Sequence, residues 1–232
     1  MSAANRFVLS GGPGGGKSAL LAALAERGYP VVPESARAII RSRLQAGLAP
    51  RPEPAAFAQA IFQQDAQHYQ QSQALCFVRK VPALGDASLK TGSECSARKL
   101  RVLPRFLPRL TFARRLFVEN LDTPCFFDRS VVDALYMLHA AGAMDDAAVA
   151  QQCSAYPYNH TVFFLPPWQV IYQTDAERDQ TFSEAQQVYA NLKRWYLRWG
   201  YDVVDVPCCS VPERVAFVLH AETQAAEQGG AD

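Results

Sequence analysis

A glycine-rich stretch near the start of the chain has the residue types and spacing of a phosphate-binding loop. Residues 11–18 read GGPGGGKS, which fits the pattern G-x-x-x-x-G-K-[ST]. Glycines let the backbone N–H groups turn inward and form a concave nest for phosphate oxygens. A lysine in this pattern binds the β- and γ-phosphates, and the following serine hydroxyl binds Mg²⁺. The residues predicted to bind a nucleoside triphosphate are Gly11, Gly12, Pro13, Gly14, Gly15, Gly16, Lys17 and Ser18.

Two carboxylates follow apolar segments at places where a strand would end. Asp128 closes the segment TPCFFD, the position at which a phosphate-loop protein keeps its magnesium-directed carboxylate. Glu34 follows the segment YPVVP, and a carboxylate there could accept the proton of an acceptor hydroxyl as a general base. The alternatives are structural: Asp128 could cap the next helix, and Glu34 could complement a helix dipole. With the loop upstream, the sequence favours the catalytic interpretation of both residues.

Three arginines are further candidates for binding anionic groups. Arg129, directly after Asp128, can reach a phosphate of either substrate. Arg37 lies one helical turn after Glu34 and could bind an anionic group of the acceptor or pair with Glu34. Arg178 lies in a polar stretch where a mobile lid would place an arginine on the transferring phosphoryl group. A solvated loop position is the alternative for Arg178.

The elements that would position these residues alternate between short apolar segments and helical patterns. The predicted strands are 6–10, 29–33, 123–128, 161–165 and 201–207, and the predicted helices are 19–27, 36–44, 55–74, 131–141, 147–153, 184–198 and 211–225. Five apolar strands separated by helices predict an α/β fold with a parallel sheet covered on both faces. Ligands of such sheets bind at the carboxyl ends of the strands, where the candidate residues lie.

Composition narrows the class of protein. The chain has 232 residues, 49% of them apolar, and a net charge of +1, which suits one domain over about residues 1–226 with a flexible tail at 227–232. The six cysteines show no zinc-ligand spacing. No apolar run is long enough to span a membrane, and the first predicted strand begins too early to leave room for a signal peptide. The expected location is the cytoplasm.

Residues 75–121 differ from the rest of the chain. They lack clean periodicity, and residues 79–115 carry ten Lys and Arg against two acidic residues, a net charge of +8. Three interpretations stay open for this irregular basic insertion. It could be a disordered or loosely packed surface insertion, a contact surface for RNA, anionic lipid or a partner, or a recently acquired segment without a selected role.

Several pieces of the chain in this order are similar to one known family. PES-x-R at 33–37, FFDRS at 126–130, LPPW at 165–168 and D-x-E-R at 175–178 resemble the NadR/translocation-defect-type AAA domain family of P-loop ATPases, which is related to nucleoside and nicotinamide riboside kinases. The resemblance implies a three-layer, nucleoside-kinase-like sandwich with strand order 2-3-1-4-5. It also implies an acidic–arginine pair at Asp128 and Arg129, a lid that contains Arg178, and an acceptor base at the place of Glu34.

The resulting functional hypothesis is an ATP- or GTP-dependent, Mg²⁺-dependent small-molecule kinase. Its catalytic residues would be Lys17, Glu34, Asp128 and Arg178, with Ser18 and Asp128 binding Mg²⁺ and with Arg37 and Arg129 binding substrate. The alternative is a regulatory or trafficking module that hydrolyses nucleotide slowly and has no small-molecule acceptor, as some eukaryotic relatives suggest. The expected partners are a nucleoside triphosphate, an unknown acceptor and, through residues 79–115, weakly bound polyanions.

Overall fold

A parallel β-sheet with helices on both faces organises the chain. The computed structural model describes residues 5–78, 123–172 and 180–228. The strands are β1 (Arg6–Gly11), β2 (Val31–Val32), β3 (Cys125–Asp128), β4 (Thr161–Leu165) and β5 (Asp202–Asp205). The helices are α1 (Lys17–Glu26), α2 (Ser35–Gln45), α3 (Pro54–Val78), α4 (Val131–Ala140), α5 (Asp146–Ala155), α6 (Phe182–Arg198) and α7 (Val211–Gln228), with a short 3₁₀ turn at Gln169–Ile171.

The strand order is β2-β3-β1-β4-β5, and every neighbouring pair is parallel. This confirms the predicted α/β phosphate-loop fold and its order 2-3-1-4-5. In the ladder, Leu9 pairs with Asp128 and Gly11 pairs with Leu165. The carboxyl ends of β1, β3 and β4 are therefore nearly level, and the loops that leave them meet at one edge of the sheet.

Alternation along the central strand divides the core into two halves. Phe7 and Leu9 of β1 belong to a cluster with apolar residues of α1 and α7. Val8 belongs to the opposite cluster, which includes apolar residues of α3, α4 and α6. Because successive side chains of a strand point to opposite faces, a continuous apolar run is what a doubly covered strand needs. Each such side chain contributes about 2 kcal/mol of burial free energy before conformational entropy is subtracted.

Some predicted boundaries differ from the structure for local reasons. The second strand contains Val31 and Val32 alone, although 29–33 was predicted, because Pro30 and Pro33 have no N–H to donate to a ladder. Helix α3 extends to Val78, beyond the predicted end at 74. The rest of the predicted insertion, with the basic stretch 79–115, lies outside the described residues, as does the end of the predicted tail. Within the described ranges, no helix is long and apolar enough to cross a membrane.

Gly11, the last residue of β1, allows β1 and β4 to approach closely. Its φ of +121° is a conformation that L side chains rarely adopt, and an added Cβ would lie 2.4 Å from the carbonyl oxygen of Leu165. Gly142, after α4, also has a positive φ of +69°, but an added Cβ would meet nothing within 4 Å. Substitutions at these two glycines therefore distinguish the cost of backbone strain alone from the cost of strain together with a backbone clash.

The substitution Gly11→Ala should destabilise the protein by about 3 kcal/mol or more, because strain and overpacking against a strand act together. Gly142→Ala should cost about 1 kcal/mol, the strain alone. Urea denaturation of the purified variants measures both free energies of unfolding. Equal losses for the two variants would contradict the close packing of β1 against β4.

Candidate functional site

The glycine-rich loop connects β1 to α1 and aims the first turn of that helix into a cavity. Gly16 is the N-cap of α1 in the left-handed conformation, with φ of 75°, which favours glycine. The first N–H groups of a helix have no partner within the helix, and the helix dipole places positive charge there. Residues Pro13 to Ala19 line the cavity. This arrangement suits a phosphate group.

Lys17 lies in the first turn of α1 and is almost fully buried. Its Nζ donates a hydrogen bond to the carbonyl oxygen of Gly12 at 3.1 Å. Burial lowers the pKa of Lys17 to about 8, with Arg129 adding to the effect and Asp128 and Glu34 opposing it. Among the described residues, the carbonyl of Gly12 is the one hydrogen-bond acceptor of this buried ammonium group. Such a group gains strongly from an anion, so the site favours a polyphosphate.

Asp128 closes β3 and is also buried, at 8% exposure. Its Oδ1 has no hydrogen-bond partner among the described residues. Burial raises the pKa of Asp128 to about 6, while Lys17 opposes this effect. An unpaired carboxylate oxygen is the kind of ligand that Mg²⁺ takes.

The donor set fits magnesium bound jointly with a nucleotide. Ser18 is exposed and lines the cavity beside the loop. No group of three His, Cys, Asp or Glu residues in the described part of the chain could hold a metal alone. Mg²⁺ commonly uses one or two protein oxygens and takes its other ligands from phosphates and water. Ser18 and Asp128 would supply those protein oxygens.

Arg129 connects three parts of the site through one guanidinium group. Its Nε donates to Glu34 Oε1 at 3.0 Å, its Nη1 to Asp133 Oδ1 at 3.1 Å, and its Nη2 to the Gly11 carbonyl at 3.2 Å. The residue has a positive φ of 67°, and its backbone N–H donates to the Leu9 carbonyl at 3.0 Å. All three guanidinium nitrogens therefore have protein partners, and each of the two terminal nitrogens carries a second N–H.

Glu34 is the N-cap residue of α2 and is held between two arginines. Arg129 contacts its Oε1, and the Nε of Arg37 lies 3.2 Å from its Oε2. Burial would raise the pKa of Glu34, but Arg129, Lys17 and Arg37 outweigh it and hold the pKa below its usual value. Glu34 is therefore ionised at neutral pH, and each of its oxygens has a second lone pair beyond its contact with an arginine.

Asp133 belongs to the same network, and sequence analysis missed it. Ser10 Oγ donates to its Oδ1 at 2.5 Å, and Tyr196 donates to its Oδ2 at 2.6 Å. The Ser130 N–H also donates to Oδ2 as part of a capping box at the start of α4. The spacing S-x-x-D at 130–133 is a sequence signal for that capping box. Nothing local predicts the contacts with Ser10 and Tyr196.

Arg214, in the first turn of α7, is a second residue that the sequence did not reveal. It is 2% exposed, and its Nη2 donates to the Gly15 carbonyl at 2.5 Å. An added Cβ on Gly16 would lie 2.7 Å from its Nη1. Burial lowers the pKa of Arg214. The guanidinium therefore supports the glycine loop from the far end of the chain.

Asp65, on α3, is a third residue that the sequence did not reveal. It is 7% exposed, and the Ser35 hydroxyl donates to its Oδ1. Its Oδ2 has no hydrogen-bond partner in the described part of the chain. Burial raises the pKa of Asp65 to about 7. His68 Nδ1 lies 3.3 Å from the same serine oxygen.

The structure brings most of the predicted residues to one cavity of about 410 Å³. Its lining includes the loop residues from Pro13 to Ser18 together with Glu34, Arg37 and Arg129. Asp128 is near enough to Lys17 and Glu34 for their charges to affect its pKa. Arg178 lies outside the described residues.

Arg129→Gln should lower the free energy of unfolding by about 3 kcal/mol, because Glu34 and Asp133 would lose their shared cation in a mostly buried place. Arg198→Gln is the matched control, since that arginine is half exposed and pairs with the exposed Asp146. The control should lose less than about 1 kcal/mol. Chemical denaturation at neutral pH measures both, and similar losses would contradict the central position of Arg129.

Asp65→Asn should change how stability depends on pH. The pKa of Asp65 rises from 3.8 to about 7 on folding, so the folded protein binds more protons in between and loses stability as pH rises through that range. The slope of the free energy of unfolding against pH that Asp65 causes is at most about 1.4 kcal/mol per pH unit, and the asparagine variant lacks this slope. Urea denaturation from pH 4.5 to 8 compares the two slopes. Parallel curves would show that Asp65 is not a buried acid with a raised pKa.

A family model described as an AAA domain matches residues 6–80 and 107–214. No curated protein sequence was found to match. The structure of deoxyadenosine kinase from M. mycoides with bound dATP is 10% identical, with 93% of this chain and 97% of that chain covered and a TM-score of 0.43. A structure of that kinase with products dCMP and a flexible dCDP is also 10% identical, with 94% and 99% covered and a TM-score of 0.43.

The family model spans well over half of the chain and confirms the resemblance noted in the sequence: the chain belongs to this P-loop AAA domain family.

Proposed function

We propose that this protein is a Mg²⁺-dependent phosphotransferase that moves the γ-phosphoryl group of ATP or GTP to a hydroxyl of a small molecule. One observation carries the proposal: an ionised carboxylate, Glu34, lines the same cavity as the phosphate-loop residues. A protein that only binds and slowly hydrolyses nucleotide does not need this second, acceptor-facing carboxylate. Phosphoryl transfer to a bound hydroxyl group needs such a carboxylate.

The donor half of the reaction uses the loop and its neighbours. The backbone N–H groups and Lys17 would bind the β- and γ-phosphates and neutralise charge that develops during transfer. Ser18 and Asp128 would hold Mg²⁺, which supplies further charge neutralisation when bound. Arg214 contacts the Gly15 carbonyl and would keep the loop in its binding conformation.

The acceptor half uses Glu34 and the two arginines beside it. Glu34 would accept the hydrogen bond of the attacking hydroxyl and then its proton. A pKa held below the usual range keeps Glu34 ionised at neutral pH, so the carboxylate is ready to accept from the hydroxyl group. Arg129 would fix the position of this carboxylate, and Arg37 would bind an anionic or polar group of the acceptor.

The remaining predicted parts fit the same proposal. Arg178 would act from a lid and approach the transferring phosphoryl group, since a short polar segment joins the 3₁₀ turn to α6. Residues 1–226 would form one domain around this centre, interrupted by the insertion at about 75–121. The proposed place of action is the cytoplasm, and the basic stretch 79–115 would add a weak contact with polyanions. ATP and GTP stay equal candidates for the donor.

A screen of nucleosides, vitamin ribosides and sugars for acceptor-dependent ADP or GDP formation tests the proposal. Glu34→Gln should lower kcat by about 100-fold or more with any acceptor that the wild type uses, because the proton acceptor is lost. Lys17→Ala should abolish triphosphate binding, since a buried phosphate contact disappears. Glu26→Gln, an exposed carboxylate of α1, is the matched control and should keep wild-type rates.

A regulatory or trafficking module would give different results in the same assays. Nucleotide hydrolysis that no acceptor stimulates and that Glu34→Gln leaves unchanged would favour the regulatory or trafficking module. Normal triphosphate binding by Lys17→Ala would show that the loop is not the nucleotide site.

A further inference from the structure

The cavity continues beyond the phosphate loop into an apolar compartment. Its walls there come from α2, α3 and α4, namely Ile40, Phe57, Ile61, Ala134 and Met137. Ligand sites commonly combine apolar walls with a few polar groups that fix the orientation of the ligand. Compact apolar walls of this kind suit a flat or apolar body. A bare sugar would leave most of its hydroxyl groups without partners there.

Asp65 is a buried acid in the wall of this compartment whose second oxygen is unused. Ser35 satisfies Oδ1 with its single hydroxyl proton, and Oδ2 has no partner in the described part of the chain. No arginine, lysine or histidine nitrogen in the described ranges forms an ion pair with this carboxyl group. A buried polar atom without a partner is costly, and such atoms in native sites point to a ligand, an ion or a water.

The charges around Asp65 favour a donor over an acceptor as its missing partner. Burial raises its pKa to about 7, and Asp133 and Glu34 add to this effect, while Ser35 and Arg129 oppose it. The carboxyl group is therefore close to ionising at neutral pH. An N–H donor or a cation stabilises the ionised form, and a hydrogen bond to a charged group is stronger than one between neutral groups.

Asp65 is connected through Ser35 to Glu34, the proposed proton acceptor. Glu34 is the residue directly before Ser35, and Ser35 holds Asp65 by its hydroxyl group. Glu34 is in turn fixed by Arg129. Both carboxyl groups belong to residues that line the same cavity. A single acceptor molecule can meet Glu34 with its hydroxyl group and Asp65 with its other end.

We propose that Asp65 selects the acceptor: an alcohol whose flat or apolar body carries an N–H-donating nitrogen group, such as an amine, an amidine or an amino-substituted ring, at the end remote from the reacting hydroxyl. This inference rests on the proposed phosphotransfer, because it describes the acceptor of that same site. It gives the acceptor a chemical class, which the catalytic residues alone do not define.

Two matched pairs of probes test the proposal with the full-length protein, Mg²⁺ and ATP or GTP. Adenosine and purine riboside differ only in the ring amino group, and 4-(hydroxymethyl)benzamidine and benzyl alcohol differ only in the amidine. The wild type should use the nitrogen-bearing member of at least one pair with a kcat/KM about 10- to 100-fold higher, mainly through KM, since one hydrogen bond to a charged group is at stake. Asp65→Asn should reduce this ratio several-fold, because the amide is uncharged.

The control and the contrary results separate this inference from the proposed function. Asp202→Asn removes an exposed aspartate of β5 and should keep the wild-type ratio. A wild-type ratio near one, a ratio that Asp65→Asn leaves unchanged, or no use of any of the four probes would overturn the role of Asp65. The proposed phosphotransfer would still stand in these cases if a sugar or another alcohol stimulated Glu34-dependent ADP or GDP formation, and it falls only when no acceptor does.

Discussion

The guanidinium group of Arg129 is the connection on which the site depends. It joins Glu34 shortly after β2, Gly11 at the end of β1 and Asp133 in the first turn of α4. Parallel strands place their carboxyl ends side by side, but the ladder ends there and cannot fix the side chains beyond it. A planar group with several donors in fixed directions can hold more than one acceptor at once. Arg129 thereby turns three neighbouring strand ends into one rigid site.

Several ionisable groups are buried at the same edge of the sheet, where burial disfavours their charged forms. Burial lowers the pKa of Lys17 and raises that of Asp128, so each is shifted towards its neutral form. Both shifts weaken when a ligand of opposite charge arrives: a polyphosphate for Lys17 and a divalent cation for Asp128. Strongly shifted groups of this kind cluster at functional sites. The geometry therefore suits the proposed joint binding of Mg²⁺ and triphosphate, with Glu34 ionised beside them.

Local sequence patterns were sufficient for the fold and for part of the site. The loop at residues 11–18 and the apolar strand before Asp128 are short, contiguous signals, and the structure has both where they were predicted. Arg214 and Asp65 could not be found in this way. Arg214 reaches Gly15 from the opposite end of the chain, and Asp65 depends on a contact between α2 and α3. A polar residue on a helix looks solvated until the packing of that helix is known.

Direct observation of the product tests the central claim, phosphoryl transfer to a hydroxyl. ³¹P NMR of the protein with Mg²⁺, ATP or GTP and a mixture of hydroxyl acceptors follows where the γ-phosphoryl group goes. Phosphotransfer predicts a new phosphate monoester resonance that forms with ADP or GDP in equal amount and is absent with Glu34→Gln. Inorganic phosphate as the sole product of the γ-phosphoryl group, formed with ADP or GDP at the same rate with and without acceptors, would contradict the claim.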